Sequence, residues 1–161
     1  MVKLKIVLIN PLIPQNTGNI ARLCAANDFD LHLIGKLGFS LEDKQLKRAG
    51  LDYWEYVKLF RHDSFEDFLN NENEYVNLPF NFFVFTKKAN KDLFEIRFKD
   101  GDALVFGPED NGFSSDFLQK YNIHTVKIPM QAANVRSLNL SSAVAISSYE
   151  ALRQIKNSGI I

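Results

Sequence analysis

The chain has 161 residues, 46% of them hydrophobic and 24% charged, with 19 basic side chains against 19 acidic ones. That length predicts a single domain able to bury about 70% of its unfolded surface, and zero formal charge excludes a global field that would attract nucleic acid or membrane. The one cysteine, Cys24, excludes an internal disulfide and suits a reducing cytoplasm. No apolar run is long enough to span a bilayer, and the N-terminal MVKLKIVLIN lacks a signal-peptide cleavage pattern.

Lys5-Ile6-Val7-Leu8-Ile9 is a nearly continuous apolar run, the mark of a strand covered on both faces. Asn10 to Gly18 reads as a loop leading into a helix from about Gly18 to Asn27. In that helix Ile20, Leu23, Cys24 and Asn27 share one face and Arg22 points outward. Asp30 to Ile34 is a second strand, so the start of the chain is a βαβ unit with parallel strands.

Glu42 to Ala49 predicts a polar helix ended by Gly50, and the aromatic run Leu51 to Tyr56 is expected to pack beneath it. Val57 to Phe60 predicts a short strand. Ser64-Phe65-Glu66-Asp67 has capping-box spacing and opens a helix through Leu69, after which the Asn- and Glu-rich segment 70–77 reads as a loop. Further strands are expected at Phe82 to Thr86 and Ala103 to Phe106, and a helix at Ser114 to Tyr121. Lys87 to Arg97 carries no clear pattern.

Val126 to Ile128 is a last strand, stopped by Pro129. From Leu140 onward, Ala143, Val144, Ser147, Ser148, Ala151, Leu152 and Ile155 recur at helical spacing, which predicts a long helix with one buried stripe. Ala145, Ile146 and Tyr149 form a second apolar strip on it. Ser137 and Asn139 stand at its mouth, where unpartnered backbone N–H groups suit either a cap or a ligand. Alternating strands and helices give an α/β layer fold with a mostly parallel sheet.

Ligands of such folds bind at the carboxyl ends of the strands. Three polar, Pro- or Gly-containing loops follow buried strands here, at 10–19, 107–112 and 129–139. Neither GxGxxG nor GxxxxGK[ST] occurs. His32, His62 and His124 are scattered without metal-ligand spacing, and His32 reads as a strand residue. Cys24 falls on an apolar helix face, which makes it a core residue. Glu109 and Asp110 are adjacent and point apart, unlike a catalytic carboxylate pair. The basic run Lys44, Lys47, Arg48, Lys58 and Arg61 could bind phosphate, or could be a solvated face.

Three segments carry a resemblance. Ile13-Pro14-Gln15-Asn16-Thr17-Gly18-Asn19-Ile20-Ala21-Arg22, then Phe106-Gly107-Pro108-Glu109, then Ile128-Pro129-Met130 with Arg136-Ser137-Leu138-Asn139-Leu140-Ser141, resemble in order the three motifs of the SPOUT class of RNA methyltransferases. Leu37-Gly38-Phe39, the run Lys47 to Tyr53 and Tyr149-Glu150-Ala151 point to its small tRNA-modifying members, which methylate the wobble ribose of leucine tRNAs. The segment Lys87-Lys88-Ala89-Asn90 departs from them in lacking a glycine.

The resemblance implies a three-layer α/β sandwich with a C-terminal trefoil knot, S-adenosyl-L-methionine as cofactor, the tRNA anticodon stem-loop as substrate, and a homodimer, with no metal and no membrane. It implies that the cofactor is held by the loops after Phe85, Gly107 and Ile128 and by Ser137 and Leu138. It gives Arg22, with Asn16, to the ribose hydroxyl, and has Glu109, Ser137 and Asn139 shape the catalytic site. It makes Tyr149 an RNA contact, and sets Arg22 of one subunit near the other subunit's cofactor. Arginine stays protonated in proteins, so Arg22 is expected to act as a cation rather than a base. Two other classes fit the composition: a non-catalytic RNA-binding module using Tyr53, Trp54 and Tyr56, and a nucleotide-binding regulatory domain.

Overall fold

The computed structural model describes residues 1–42, 53–75, 80–132 and 134–158. Among the described residues seven strands form one sheet: β1 Lys5–Ile9, β2 Asp30–Ile34, β3 Lys58–His62, β4 Phe82–Phe85, β5 Lys91–Asp92, β6 Ala103–Phe106 and β7 Thr125–Lys127. Their spatial order is β3-β2-β1-β6-β4-β7-β5, and every neighbouring pair is parallel. Among the described residues four helices flank it: α1 Pro14–Asn27, α2 Phe65–Tyr75, α3 Ser115–Lys120 and α4 Leu140–Asn157.

The apolar runs are explained by the pleat. In β1, Ile6 and Leu8 join the core shared with α1 and α4, whereas Val7 joins the core on the opposite face with α2 and α3. In β6, Leu104 and Phe106 face the first and Ala103 and Val105 the second. Both faces are covered, so the middle positions of β1 and all of β6 are apolar. The result is a three-layer sandwich. The predicted stripe of α4 is its buried side, with Val144, Ser147, Ser148, Ala151 and Ile155 packed inward. Cys24 is a buried core residue, and burial pushes its thiol well above the ordinary range.

Several boundaries differ from the sequence reading. Helix α1 begins at Pro14 rather than near Gly18, because a proline at the first helical position loses no needed N–H. Helix α2 runs on to Tyr75, so most of the segment read as a loop is helical: a helix anchored in the core by Phe65 and Phe68 propagates through asparagines of weak helix preference. Its start is as expected, with the Asp67 N–H donating to Ser64 Oγ at 3.0 Å. The strand expected at Val57 to Phe60 is Lys58–His62. The strand expected at Phe82 to Thr86 ends at Phe85, and that expected at Val126 to Ile128 spans Thr125–Lys127. Positions 43–49 of the helix expected at 42–49, and its glycine cap, fall outside the described residues. Of the aromatic run beyond it, Tyr53 and Tyr56 are exposed rather than covered, and Trp54–Tyr56 forms a single 3-10 turn against α1. Of the basic run, Lys58 pairs with Asp28 and Arg61 donates to the Gly35 carbonyl, while 44, 47 and 48 lie outside the described residues.

The last strand is inserted between β4 and β5, which follow each other in the chain. The 86–90 connection therefore crosses β7, and the Thr86 N–H ties it there by donating to the Val126 carbonyl at 2.9 Å. Beyond β5 the chain lies against α4, where the Phe98 N–H donates to Gln154 Oε1 at 3.1 Å.

Candidate active site

The loops that leave β1, β4, β6 and β7 surround a cavity of about 590 Å3. That is in the range of small-molecule sites. Its apolar lining includes Phe85, Phe106, Ile128 and Leu138, and Phe85 stacks on Phe106 with ring centroids 4.8 Å apart. Asn16, Glu109, Ser137 and Asn139 supply polar groups. Lys87, Lys88 and Arg136 are exposed cations on the same lining.

Glu109 ties the first two loops together. Ile13, the residue before α1, has no side chain that can cap, and the helix leaves free N–H groups there. The Glu109 carboxylate, from the loop after β6, accepts from the Leu12 N–H at 2.8 Å and the Ile13 N–H at 3.1 Å. Its charge also suits the positive end of the helix dipole. Asn16 Nδ2 donates to the same carboxylate at 3.2 Å.

Asn139 ties in the third loop. Its Oδ1 caps α4 by accepting from the Ser141 N–H at 2.9 Å, and its Nδ2 donates to Asn16 Oδ1 at 3.0 Å. Glu109, Asn16 and Asn139 are thus one hydrogen-bonded chain across three loops. Ser137 lines the cavity without taking part in the cap. Gly107 holds the backbone close to the following turn. A Cβ there would lie 3.1 Å from Phe113 N and 3.2 Å from Gly112 C.

Two of the expected site residues stand outside the cavity lining. Arg22 is six residues beyond Asn16, about 9 Å along α1 and about 120° around it. It is exposed, and its guanidinium carbon lies 5.0 Å from the centroid of the Tyr53 ring. Tyr149 is 54% exposed on the outer side of α4. Each therefore faces away from the cavity of its own chain.

A profile of the SpoU rRNA methylase family matches residues 3–149. The chain belongs to the SpoU methylase family. It is 43% identical over 159 residues to the tRNA (cytidine(34)-2'-O)-methyltransferase of Escherichia coli K12, covering 98% of each chain. A solved structure concerned with the 2-OH methylation of C/U34 on tRNA superposes with a TM-score of 0.88 at 47% identity, covering 97% of this chain and 98% of that one. The SpoU methyltransferase AviRb of Streptomyces viridochromogenes, in complex with AdoMet, shares the fold at 24% identity, with a TM-score of 0.83 over 96% of this chain and 58% of that one.

SpoU membership carries the trefoil-knotted α/β fold, marked in this chain by β7 lying between two consecutive strands. The three SpoU-like motif segments supply most of the cavity lining; the 86–88 loop adds a fourth wall. Sequence reasoning quoted Lys87, Lys88 and Arg136 within its segments but gave them no role, although Lys87 and Lys88, just after buried β4, were a usable signal. It also treated the histidines as scattered. The fold sets His32 Nδ1 2.9 Å from His62 Nε2 on neighbouring strands of the SpoU sheet, because β2 and β3 place those positions on the same face. Among the described residues no group of three potential metal ligands forms.

Proposed function

We propose that this SpoU-family protein transfers a methyl group from S-adenosyl-L-methionine to the ribose 2'-hydroxyl of cytidine or uridine at position 34 of tRNA. Leucine tRNAs are the proposed substrates and the cytoplasm the proposed compartment. The observation that carries this reading is the convergence of all three motif segments on one cavity, in a chain that matches wobble-nucleotide methyltransferases over nearly its full length. The lining suits that cofactor. Phe85, Ile128 and Leu138 offer apolar contact for a purine, the loop at 107–112 offers backbone groups, and Gly107 leaves room for that loop to close on Gly112 and Phe113.

The cofactor supplies an electrophilic methyl carbon, and alignment and electrostatics fall to the protein. Asn16, Glu109 and Asn139 keep the three loops in register, and Ser137 and Leu138 hold the ligand. A ribose hydroxyl is a weak nucleophile, and negative charge grows on its oxygen as the proton leaves. Arg22 stabilises that charge and grips a neighbouring phosphate; the proton passes to a phosphate oxygen or water. Because Arg22 faces away from its own cavity, it serves the cavity of a second subunit in a homodimer. The strip of Ala145, Ile146 and Tyr149 on α4, with Ile146 41% exposed, is the proposed contact surface, and Tyr149 also meets RNA.

The test is mass spectrometry of tRNA incubated with the protein and S-adenosyl-L-methionine. A 2'-O-methyl nucleotide at position 34 is expected; unmodified tRNA with intact protein and bound cofactor would favour the RNA-binding module or the nucleotide-binding regulatory domain instead.

A further inference from the structure

We propose that Tyr53 is a positioning residue for Arg22, its ring face orienting the guanidinium without neutralising it. The inference rests on the role given to Arg22 above. It starts from the one contact that distinguishes this arginine, with the guanidinium carbon 5.0 Å from the centroid of the Tyr53 ring. That is within the range of a cation–π interaction. Among the described residues Arg22 forms no ion pair, whereas Lys3, Lys58, Lys120 and Arg153 each meet a carboxylate.

The choice of partner matters for an arginine that must bind anions. A carboxylate would fix the guanidinium but occupy its N–H fork and cancel its charge. An aromatic face attracts the cation through its quadrupole and leaves the in-plane N–H donors free for a phosphate and a developing alkoxide. Arginine side chains carry about 2 kcal/mol of rotamer entropy, so an arginine held in place before substrate arrives loses less freedom on binding.

The local fold makes Tyr53 a firm support. It precedes the Trp54–Tyr56 turn, which the Tyr56 N–H closes by donating to the Tyr53 carbonyl at 2.9 Å. Trp54 and Val57 pack against the core shared with α1. The turn is therefore anchored to the helix that carries Arg22, while the Tyr53 ring is 39% exposed and open to the guanidinium. The guanidinium meets the ring face rather than the phenol oxygen, so phenylalanine suffices at this position.

The test compares Tyr53→Phe, Tyr53→Leu and a series in which position 53 carries progressively fluorinated phenylalanine, with Arg22→Ala as reference. Fluorination preserves ring shape while draining the negative face, so a merely structural ring would not respond to it. We expect Tyr53→Phe to keep kcat within about twofold, and Tyr53→Leu and the most fluorinated ring to lower it by about two- to fivefold. Cofactor affinity and melting temperature should stay unchanged in the fluorinated series. If Tyr53→Leu fails to fold, the fluorinated series decides alone. An inactive Arg22→Ala together with kcat indifferent to fluorination overturns the role of Tyr53 and leaves that of Arg22 standing. A fully active Arg22→Ala removes Arg22 from the mechanism, and the role of Tyr53 with it.

Discussion

Asn139 Nδ2 donates to Asn16 Oδ1 at 3.0 Å, across 123 residues of sequence. The bond joins the start of α1 to the start of α4, at the wall of the cavity between them. Asn139→Ala removes it together with the α4 cap, and the cap alone is worth about 1 kcal/mol. We expect a stability loss of about 1–2 kcal/mol in urea and weaker cofactor binding. A double-mutant cycle with Asn16→Ala should show coupling of about 0.5–1.5 kcal/mol. Strictly additive effects would show that the bond is not formed in solution.

Glu109 caps α1 from the loop after β6. Glu109→Ala frees two backbone N–H groups and the Asn16 amide, so it should cost about 1–3 kcal/mol. Glu109→Gln keeps an acceptor and should cost less. Denaturant titration of both variants checks the order, and equal losses would show that charge alone sets the effect.

Gly107→Val should abolish binding of S-adenosyl-L-methionine in calorimetry. The cause is crowding of the loop: the first added carbon already lies 3.1 Å from Phe113 N, so the 108–113 turn must move. Gly107→Ala should weaken binding in the same direction by a smaller amount. Wild-type affinity in the valine variant would exclude this loop from the cofactor site.

Arg22→Ala should lower methyl transfer by about a hundred- to thousandfold, the loss typical of a donor to developing charge. Its exposed side chain leaves no cavity behind, so stability should change by less than about 0.5 kcal/mol. Arg22→Lys should recover little, since one ammonium group does not reproduce a planar fork. Mixed dimers of an Arg22→Ala subunit with a Gly107→Val subunit contain one complete composite site if Arg22 acts across the interface. Partial recovery is then expected, and none would place the arginine in its own subunit's site.

The His32–His62 pair makes stability depend on pH. His32 is buried between Phe60 and Phe68, with His62 beside it and Lys5 nearby; Asp67 and Glu72 face His62. Burial first, then the neighbouring His62 and Lys5, lowers the His32 pKa from 6.5 to about 3. The unfolded chain therefore binds more protons between those values. Stability is complete above about 6.5 and falls as pH drops through the window, by up to about 1.4 kcal/mol per pH unit for one proton. Unfolding curves at pH 7, 6, 5 and 4 should show a shallower decline for His32→Phe than for the wild type. Parallel declines would assign the acid sensitivity to other groups.

What the sequence determined by itself is local. Continuous apolar runs specified strands buried on both faces, and helical spacing specified the inward stripe of α4 and the outward direction of Arg22. These patterns are complete within a few turns of chain, so periodicity exposes them. The motif segments also named the cavity-lining residues by resemblance. Only the tertiary structure decided how those segments meet. Helix α1 starts at Pro14 with its cap supplied by Glu109, 96 residues beyond Ile13, and no local rule contains that partner. The His32–His62 contact needs the β2–β3 register, and the crossing over β7 needs the order of the whole sheet. Arg22 shares a motif segment with the cavity residues Ile13 and Asn16 yet faces away from the cavity, because helix rotation separates neighbours in sequence. Such contacts depend on strand order and on which loops the closed sheet brings together, and neither is written in the spacing of nearby residues.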